Sequence, residues 1–330
     1  MREMKELLCI GNALLDGFAE VDEAFVRRFA LSEPVCHRDY AQVSALLGAA
    51  SQLRLCAGGG AATVAKHAAR LGIRASFVGA LGTQNQTPDT HAQLFVQDLA
   101  AAGVKVAAAY KPVPTGLCLF LHNKTDGENR IVACPSAAAH LQARDIPEAR
   151  YASACLIVID GYMLGRTDLV AAALAAAKRQ NVPVALDTGS AAHAAAYAQD
   201  IIRYCRDYPL MLFMNEAEAH ALCPSLSETE RTEFFIRLSA HGKFPIIVVK
   251  LAHRGVLVYS GGALERVPTV PLAGVLTVGA GDTFCAGFLS AFIRGGNAGE
   301  CARLGNETAG FFLKERSLQN PCPPSFHSTS

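Results

Sequence analysis

Leu7-Leu8-Cys9-Ile10-Gly11-Asn12-Ala13-Leu14-Leu15-Asp16 begins with four apolar residues, breaks at a glycine and then presents an amide and an acid. A short apolar run without polar alternation fits a strand buried on both faces, as in a parallel sheet covered by helices. Similar runs recur at Ser76 to Val78, Cys155 to Ile159, Val182 to Leu186, Leu210 to Met214 and Ile246 to Val249. Between the later ones lie helical stretches, Asp168 to Arg179, Ala191 to Arg203 and Glu228 to His241. Strands alternating with helices predict an α/β fold: a doubly wound, mostly parallel sheet with helices on both faces. Ligands of such folds bind beyond the carboxyl ends of the strands, which is where Asn12 and Asp16 fall. Asp16 can accept hydrogen bonds from two sugar hydroxyls, or it can simply form a turn.

One region departs from the rhythm. Val104 to Ala133 reads as three strands, near Val106 to Tyr110, Gly116 to His122 and Asn129 to Cys134, with Asp126-Gly127 as a hairpin signal. It is expected to form a small β-sheet lid over a site, with contributions from about 16–22, 54–57 and 104–134; the alternative is an ornamental hairpin. Residues 1–316 are expected to form one α/β domain and 317–330 a Pro/Ser-rich tail.

Composition narrows the function. Lys and Arg total 30 against 29 Asp and Glu, so no basic field exists to hold nucleic acid or an anionic membrane. Eleven cysteines, an odd number without a Cys-x-x-Cys pair, favour buried thiols in a reducing, cytoplasmic setting over disulfides or zinc. The ten histidines include no close helical pair, so a transition-metal centre is not expected. The apolar start, Leu7 to Leu15, contains Gly11 and Asn12 and runs into Asp16, Glu20 and Asp22, which suits a strand better than a signal peptide. No apolar run reaches membrane-spanning length.

Leu276-Thr277-Val278-Gly279-Ala280-Gly281-Asp282-Thr283-Phe284 carries the strongest chemical signal. Gly279 and Gly281 allow backbone angles closed to other residues, and their N–H groups are expected at the start of a helix running from Thr283 to Ile293. Asp282 beside a bound phosphate would serve as base to an attacking hydroxyl; a glycine-rich helix cap explains the same letters. Gly58-Gly59-Gly60, followed by Thr63, opens another helix and reads as a pyrophosphate turn or the floor of a polar-substrate site. The dinucleotide fingerprint fails here, because Thr63 stands where a glycine is required. Asn215 and Glu218 lie one turn apart after a strand, suited to a hydrated magnesium ion or to helix capping. Lys250 to Gly255 follows a strand and could approach a nucleotide, or form a plain basic turn. No Walker loop, nucleophile elbow or close Ser/His/Asp set is present.

Taken together, these motifs resemble the ribokinase-like (PfkB) family of sugar and nucleoside kinases over nearly the whole chain. The resemblance rests on residues 11–16, on 58–63 with Ala68-Ala69-Arg70-Leu71-Gly72, on Asn215 and Glu218 as N-x-x-E, and on 277–282. Residues 11–16 and Asp126-Gly127-Glu128-Asn129-Arg130 look most like the adenosine-kinase-like branch. It implies a kinase that transfers the γ-phosphoryl group of ATP, with Mg2+, to a hydroxymethyl group of a sugar or nucleoside. In that scheme Asp282 is the base and Gly279, Ala280 and Gly281 form the anion hole. Asn12, Asp16, Gly58, Gly59, Gly60, Thr63 and Arg130 face the acceptor alcohol. Asn215, Lys250, Gly255, Thr277 and Asn306 face ATP, and Asn215 with Glu218 organises the magnesium, through water.

Three departures accompany the resemblance: Thr63 replaces an Asn, Asp187-Thr188-Gly189-Ser190 lacks the usual Asn and Arg, and Leu276 replaces an acid. The last implies turnover largely independent of potassium. A degenerate member acting as a binding or regulatory protein is the alternative, and an exposed lid edge would permit a homodimer.

Overall fold

The structure, a computed structural model, describes residues 5–241, 246–272 and 278–319. Leu276 and Thr277 lie outside the described residues, and so does most of the expected tail. The first nine strands are β1 (Glu6–Ile10), β2 (Leu14–Val21), β3 (Val35–His37), β4 (Arg54–Gly58), β5 (Ala75–Gln84), β6 (Thr87–Pro88), β7 (Lys105–Lys111), β8 (Gly116–Asn123) and β9 (Asn129–Cys134). The rest are β10 (Ala154–Ile159), β11 (Val184–Asp187), β12 (Leu210–Asn215), β13 (Ile246–Lys250), β14 (Val256–Ser260) and β15 (Ala263–Val267).

They form two sheets. The larger runs β15-β14-β13-β12-β11-β10-β1-β5-β6, with β7 also on β5. It is parallel from β7 through β13 and antiparallel beyond. The smaller sheet runs β3-β9-β8-β2-β4. The doubly wound expectation therefore describes the molecule, with a separate small sheet beside the large one.

β1 shows why its sequence lacks alternation. Leu7 and Cys9 enter one hydrophobic core and Leu8 and Ile10 the other, all four essentially inaccessible. Both faces are covered by helices, so every position must be apolar. The small sheet has one open face instead: β2 alternates, with Leu15, Ala19 and Val21 packed in the core and Leu14, Asp16 and Phe18 partly open. The helix Tyr40–Ala49, closed by an Asp39–Gln42 capping box, covers its outer face.

Two details correct the sequence-based picture. The strand expected in the lid near Val106 to Tyr110 is β7, which pairs in parallel with β5 from Ser76↔Lys105 to Gly82↔Lys111. The helix Thr90–Ala101 between β5 and β7 makes a crossover, which returns the chain parallel to the strand it left. The lid gains β3 in its place, a three-residue strand paired with β9. The helix expected over Ala191 to Arg203 is two, Ala191–Ala196 and Ala198–Asp207, broken at Tyr197.

Asp89 joins the sheets. Its carboxylate accepts from the Thr115 N–H at 2.7 Å and from the Thr115 hydroxyl at 2.8 Å while capping the helix Thr90–Ala101. Thr115 Oγ1 accepts in turn from Gly82 N at 2.9 Å, so β5 and the start of β8 share one buried polar knot.

Ser76 on β5 has no such arrangement: it is fully buried and its hydroxyl has no hydrogen-bond partner among the described residues. An orphaned buried hydroxyl costs about 1–3 kcal/mol. Ser76→Ala should therefore raise Tm by about 2 °C in a thermal melt. An unchanged or lower Tm would mean that the hydroxyl is satisfied by buried water.

Candidate active site

The first turns of the helices Gly60–Arg70 and Ala280–Ile293 meet beyond the carboxyl ends of β1 and β10 to β13. Glycine makes the meeting possible. A Cβ on Gly58 would lie 1.9 Å from Asp16 Cγ, and one on Gly59, at φ +89°, 2.1 Å from the Asn12 carbonyl oxygen. A Cβ on Gly60 would lie 3.2 Å from Asp282 Oδ1 and 3.8 Å from Asp160 Cγ, so two carboxylates flank this one backbone position. Gly279 starts the second helix in the left-handed region at φ +82°, where its carbonyl accepts from Thr283 Oγ1 at 2.8 Å.

Beneath that turn lies Lys250, whose Nζ would sit 3.2 Å from a Cβ on Gly281 and donates to Asp187 Oδ2 at 3.1 Å. Asn215 caps the helix Glu216–Leu222 in a reciprocal capping box with Glu218. Glu218 is buried. Its Oε2 accepts from Asn215 N at 2.8 Å and Thr188 Oγ1 at 2.7 Å, and its Oε1 from Asn215 Nδ2 at 2.8 Å.

Crowding these acids shifts their titration. Burial, then the Asp187 charge, lifts the Asp282 carboxyl to about 7 against the pull of Lys250; Asp160 and Glu218 add to the rise. Burial likewise lifts Asp160 to about 6, partly offset by the Tyr162 and Asn12 N–H groups and Arg166. Lys250 is pulled down by burial, but Asp187 and the other nearby acids outweigh this and hold the ammonium above its ordinary value.

A cleft of about 1150 Å³ separates these residues from the lid. The lid presents its open face in rows set by register. One row reads Cys56, Asp16, Cys118, Ala133 and His37; the next reads Arg54, Phe18, Phe120, Ile131 and Val35. Phe18 and Phe120 stack at 4.9 Å between centroids, 10° from parallel. Across the cleft stand Tyr162 and His193, edge to face at 5.0 Å.

Of the residues singled out from sequence, Asn12, Asp16, Gly59, Gly60, Thr63, Gly279 and Asp282 line this one cleft. Gly58 lies against Asp16, while Gly281, one residue after Ala280, lies over Lys250. Others sit elsewhere. Arg130 donates to Leu31 O at 3.1 Å and to Asp126 at 2.9 Å, bracing the lid's hairpin, and does not line the cleft. Gly255, at φ +86°, passes against the Val267 carbonyl in the turn between β13 and β14, and Asn306 donates to Pro268 O at 3.0 Å. Asp160, Tyr162, Arg166 and His193 line the cleft without having been foreseen. Asp160 directly follows β10, as the segment Gly11 to Asp16 follows β1, so the strand-end rule that selected Asp16 would have found it.

The site thus sets an acid at the junction of two glycine-opened helix N-termini, with a lysine beneath and a small sheet across the cleft, at the strand ends of an α/β fold. The family model described as "pfkB family carbohydrate kinase" matches residues 36–325. The chain belongs to this family and thus to the phosphotransferases that use an alcohol acceptor. It is 24% identical over 331 residues to a nucleoside kinase of Methanothermobacter thermautotrophicus, covering 98% of this chain and 94% of that one. It is 27% identical over 346 residues to adenosine kinase 1 of Arabidopsis thaliana, covering 97% of each. The structure of adenosine kinase from Sinorhizobium meliloti superposes with a TM-score of 0.82 at 24% identity over 94% of each chain, a likeness of fold. No helix among the described residues is long and apolar enough to cross a membrane.

The raised Asp282 pKa has a consequence for stability. Because the folded state holds this proton more tightly than the unfolded chain does, the group stabilises the fold fully below about pH 4. That contribution is lost as pH rises toward 7. Asn does not ionise, so Asp282→Asn should raise Tm over wild type by a larger margin at pH 8 than at pH 5, by about 2 °C or more. Equal margins at both pH values would show that the charged form carries no penalty.

Proposed function

We propose that the protein transfers the γ-phosphoryl group of ATP to the hydroxymethyl group of a nucleoside, with Asp282 as base and Gly279 to Gly281 as anion hole. The observation that carries this reading is the pairing of two lid rows. The Asp16 row offers a carboxylate to a sugar's hydroxyls, and the adjoining row offers stacked aromatic surface to something planar. A free sugar leaves that second row unused. Adenosine and nucleoside kinases among the relatives agree with the choice.

In the reaction the acceptor oxygen gives its proton to an Asp282 carboxylate oxygen as it bonds to the γ-phosphorus, and the bond from that phosphorus to the bridging oxygen of ADP breaks. Peptide N–H groups at the Gly279 turn meet the developing phosphoryl charge, with Lys250 supporting them from below. The lid, the glycine floor and the main sheet hold the hydroxyl in line and exclude water.

Among the described residues no group of three His, Cys, Asp or Glu side chains is arranged to grip a metal directly. All-oxygen donors on Asn215 and Glu218 suit the water shell of a magnesium ion carried in with ATP, since Glu218 Oε1 accepts only one hydrogen bond in the capping box. Such an ion would neutralise phosphate charge.

ADP release with a panel of ribonucleosides and free sugars tests the reading. Nucleosides should be the preferred acceptors. Preference for free sugars would make it a sugar kinase, and binding without ADP release would favour a regulatory role. Asp282→Asn should cut turnover by ~10²–10⁴-fold with little change in ATP affinity, and wild-type turnover should rise as pH passes about 7, where the base ionises. More than about a tenth of wild-type turnover in that variant would remove Asp282 from the role. Asp16→Ala should raise the acceptor KM by about tenfold or more, as expected for lost hydrogen bonds to a charged group, and leave the ATP KM in place. The opposite split would place the two substrates the other way round.

A further inference from the structure

Arg166 is not among the residues assigned a part in the reaction above, yet it reaches into the acceptor end of the cleft. Its Nη1 donates to the Ala138 carbonyl at 2.6 Å, and its Nη2 donates to Asn12 Oδ1. Asn12 is held from the other side as well: its backbone N–H points to Asp160 Oδ2 at 3.4 Å, and Asp160 is fixed through Oδ1 by the Tyr162 N–H at 3.0 Å. Both Asn12 and Asp160 are buried.

The orientation of an Asn amide is ordinarily ambiguous, because its oxygen and nitrogen have nearly the same shape. Here chemistry removes the ambiguity. A guanidinium has five donors, no acceptor and no accessible neutral form, so the Asn12 atom that faces it must be the oxygen. With its oxygen committed, Asn12 offers the cleft only the two N–H donors of its nitrogen, which donates to no other group among the described residues. The anchor on Ala138 keeps Arg166, itself half-buried, from turning away.

We infer that Arg166 is a positioning residue that locks Asn12 as a hydrogen-bond donor, so that the acceptor must bring an oxygen or ring-nitrogen lone pair opposite Asn12. This rests on the nucleoside-kinase reading of the cleft and sharpens it. Asp16 accepts and Asn12 donates, so the site reads an acceptor by the order of its donors and acceptors as well as by its shape. An analogue with C–H or N–H at that point leaves a buried donor unpaired.

A double-mutant cycle tests the inference, with acceptor KM, ATP KM, kcat and Tm measured for Asn12→Ala, Arg166→Met, both together, and Arg166→Lys. Each single truncation should raise the acceptor KM by about 3–10-fold, the worth of one hydrogen bond, while kcat and ATP KM move far less. The double variant should be no worse than the poorer single, because Arg166 acts through Asn12. Arg166→Lys, also donor-only, should recover most of the loss. Additive KM effects would overturn the inference, as would equal damage to kcat, ATP KM and acceptor KM in Arg166→Met, since either marks a general structural or charge-balancing role. If wild type turns over a free sugar instead, the nucleoside reading fails and the cycle is run on that sugar. If it binds without turnover, the cycle is read in calorimetric Kd, so the two failures remain distinguishable.

Discussion

The ion pair between Lys250 and Asp187 lets several acids share one end of a sheet. Asp160, Asp187, Glu218 and Asp282 each raise the cost of charging a neighbour, and Lys250 supplies the opposing charge, 3.1 Å from Asp187. A buried cation without a partner, or several buried carboxylates without a cation, would be costly to fold. With Lys250 in place, Glu218 satisfies a helix terminus, Asp187 holds the lysine, and Asp282 remains near the point where losing its proton is easy at neutral pH. Asp282, the proposed base, is therefore poised by its neighbours as much as by its own chemistry.

Much of the architecture was legible from sequence because burial on both faces leaves a blunt signature. Leu7 to Ile10 and Leu210 to Met214 have no polar position because each side chain meets a core. Pairing partners were harder to read. Val106-Ala107-Ala108-Ala109 is a strand in any reading, but small residues do not say which sheet will take it. The crossover helix before it decides the matter. β3, with three residues, is too short to display a period.

For the site, legibility followed distance along the chain. Asn215 and Glu218 are three positions apart and their geometry is local, so spacing alone placed them on one helix turn. Asp16 and the Gly58 to Gly60 turn were recognised separately, and pairing of β2 with β4 put them together. Lys250 meets Asp187 across 63 positions, and Arg166 meets Asn12 across 154. No local pattern encodes such contacts. Arg130 shows the converse: family resemblance of residues 126–130 set it toward the acceptor, whereas here it pairs with Asp126, four residues away.

The tether between the two sheets has a mechanical meaning. β1 ends at Ile10 and β2, the lid strand between β8 and β4, begins at Leu14, so only Gly11, Asn12 and Ala13 connect them. Gly11 is closely packed, since a Cβ there would stand 2.6 Å from the Ala61 methyl. The middle of this link is Asn12, the residue gripped by Arg166 and Asp160. The clasp proposed to read the acceptor thus also sits in a three-residue link between the cover and the main sheet. On the proposed reading, an acceptor that engages Asn12 would bind at the very link that holds cover to floor, and its binding energy would bear on how the two sit together.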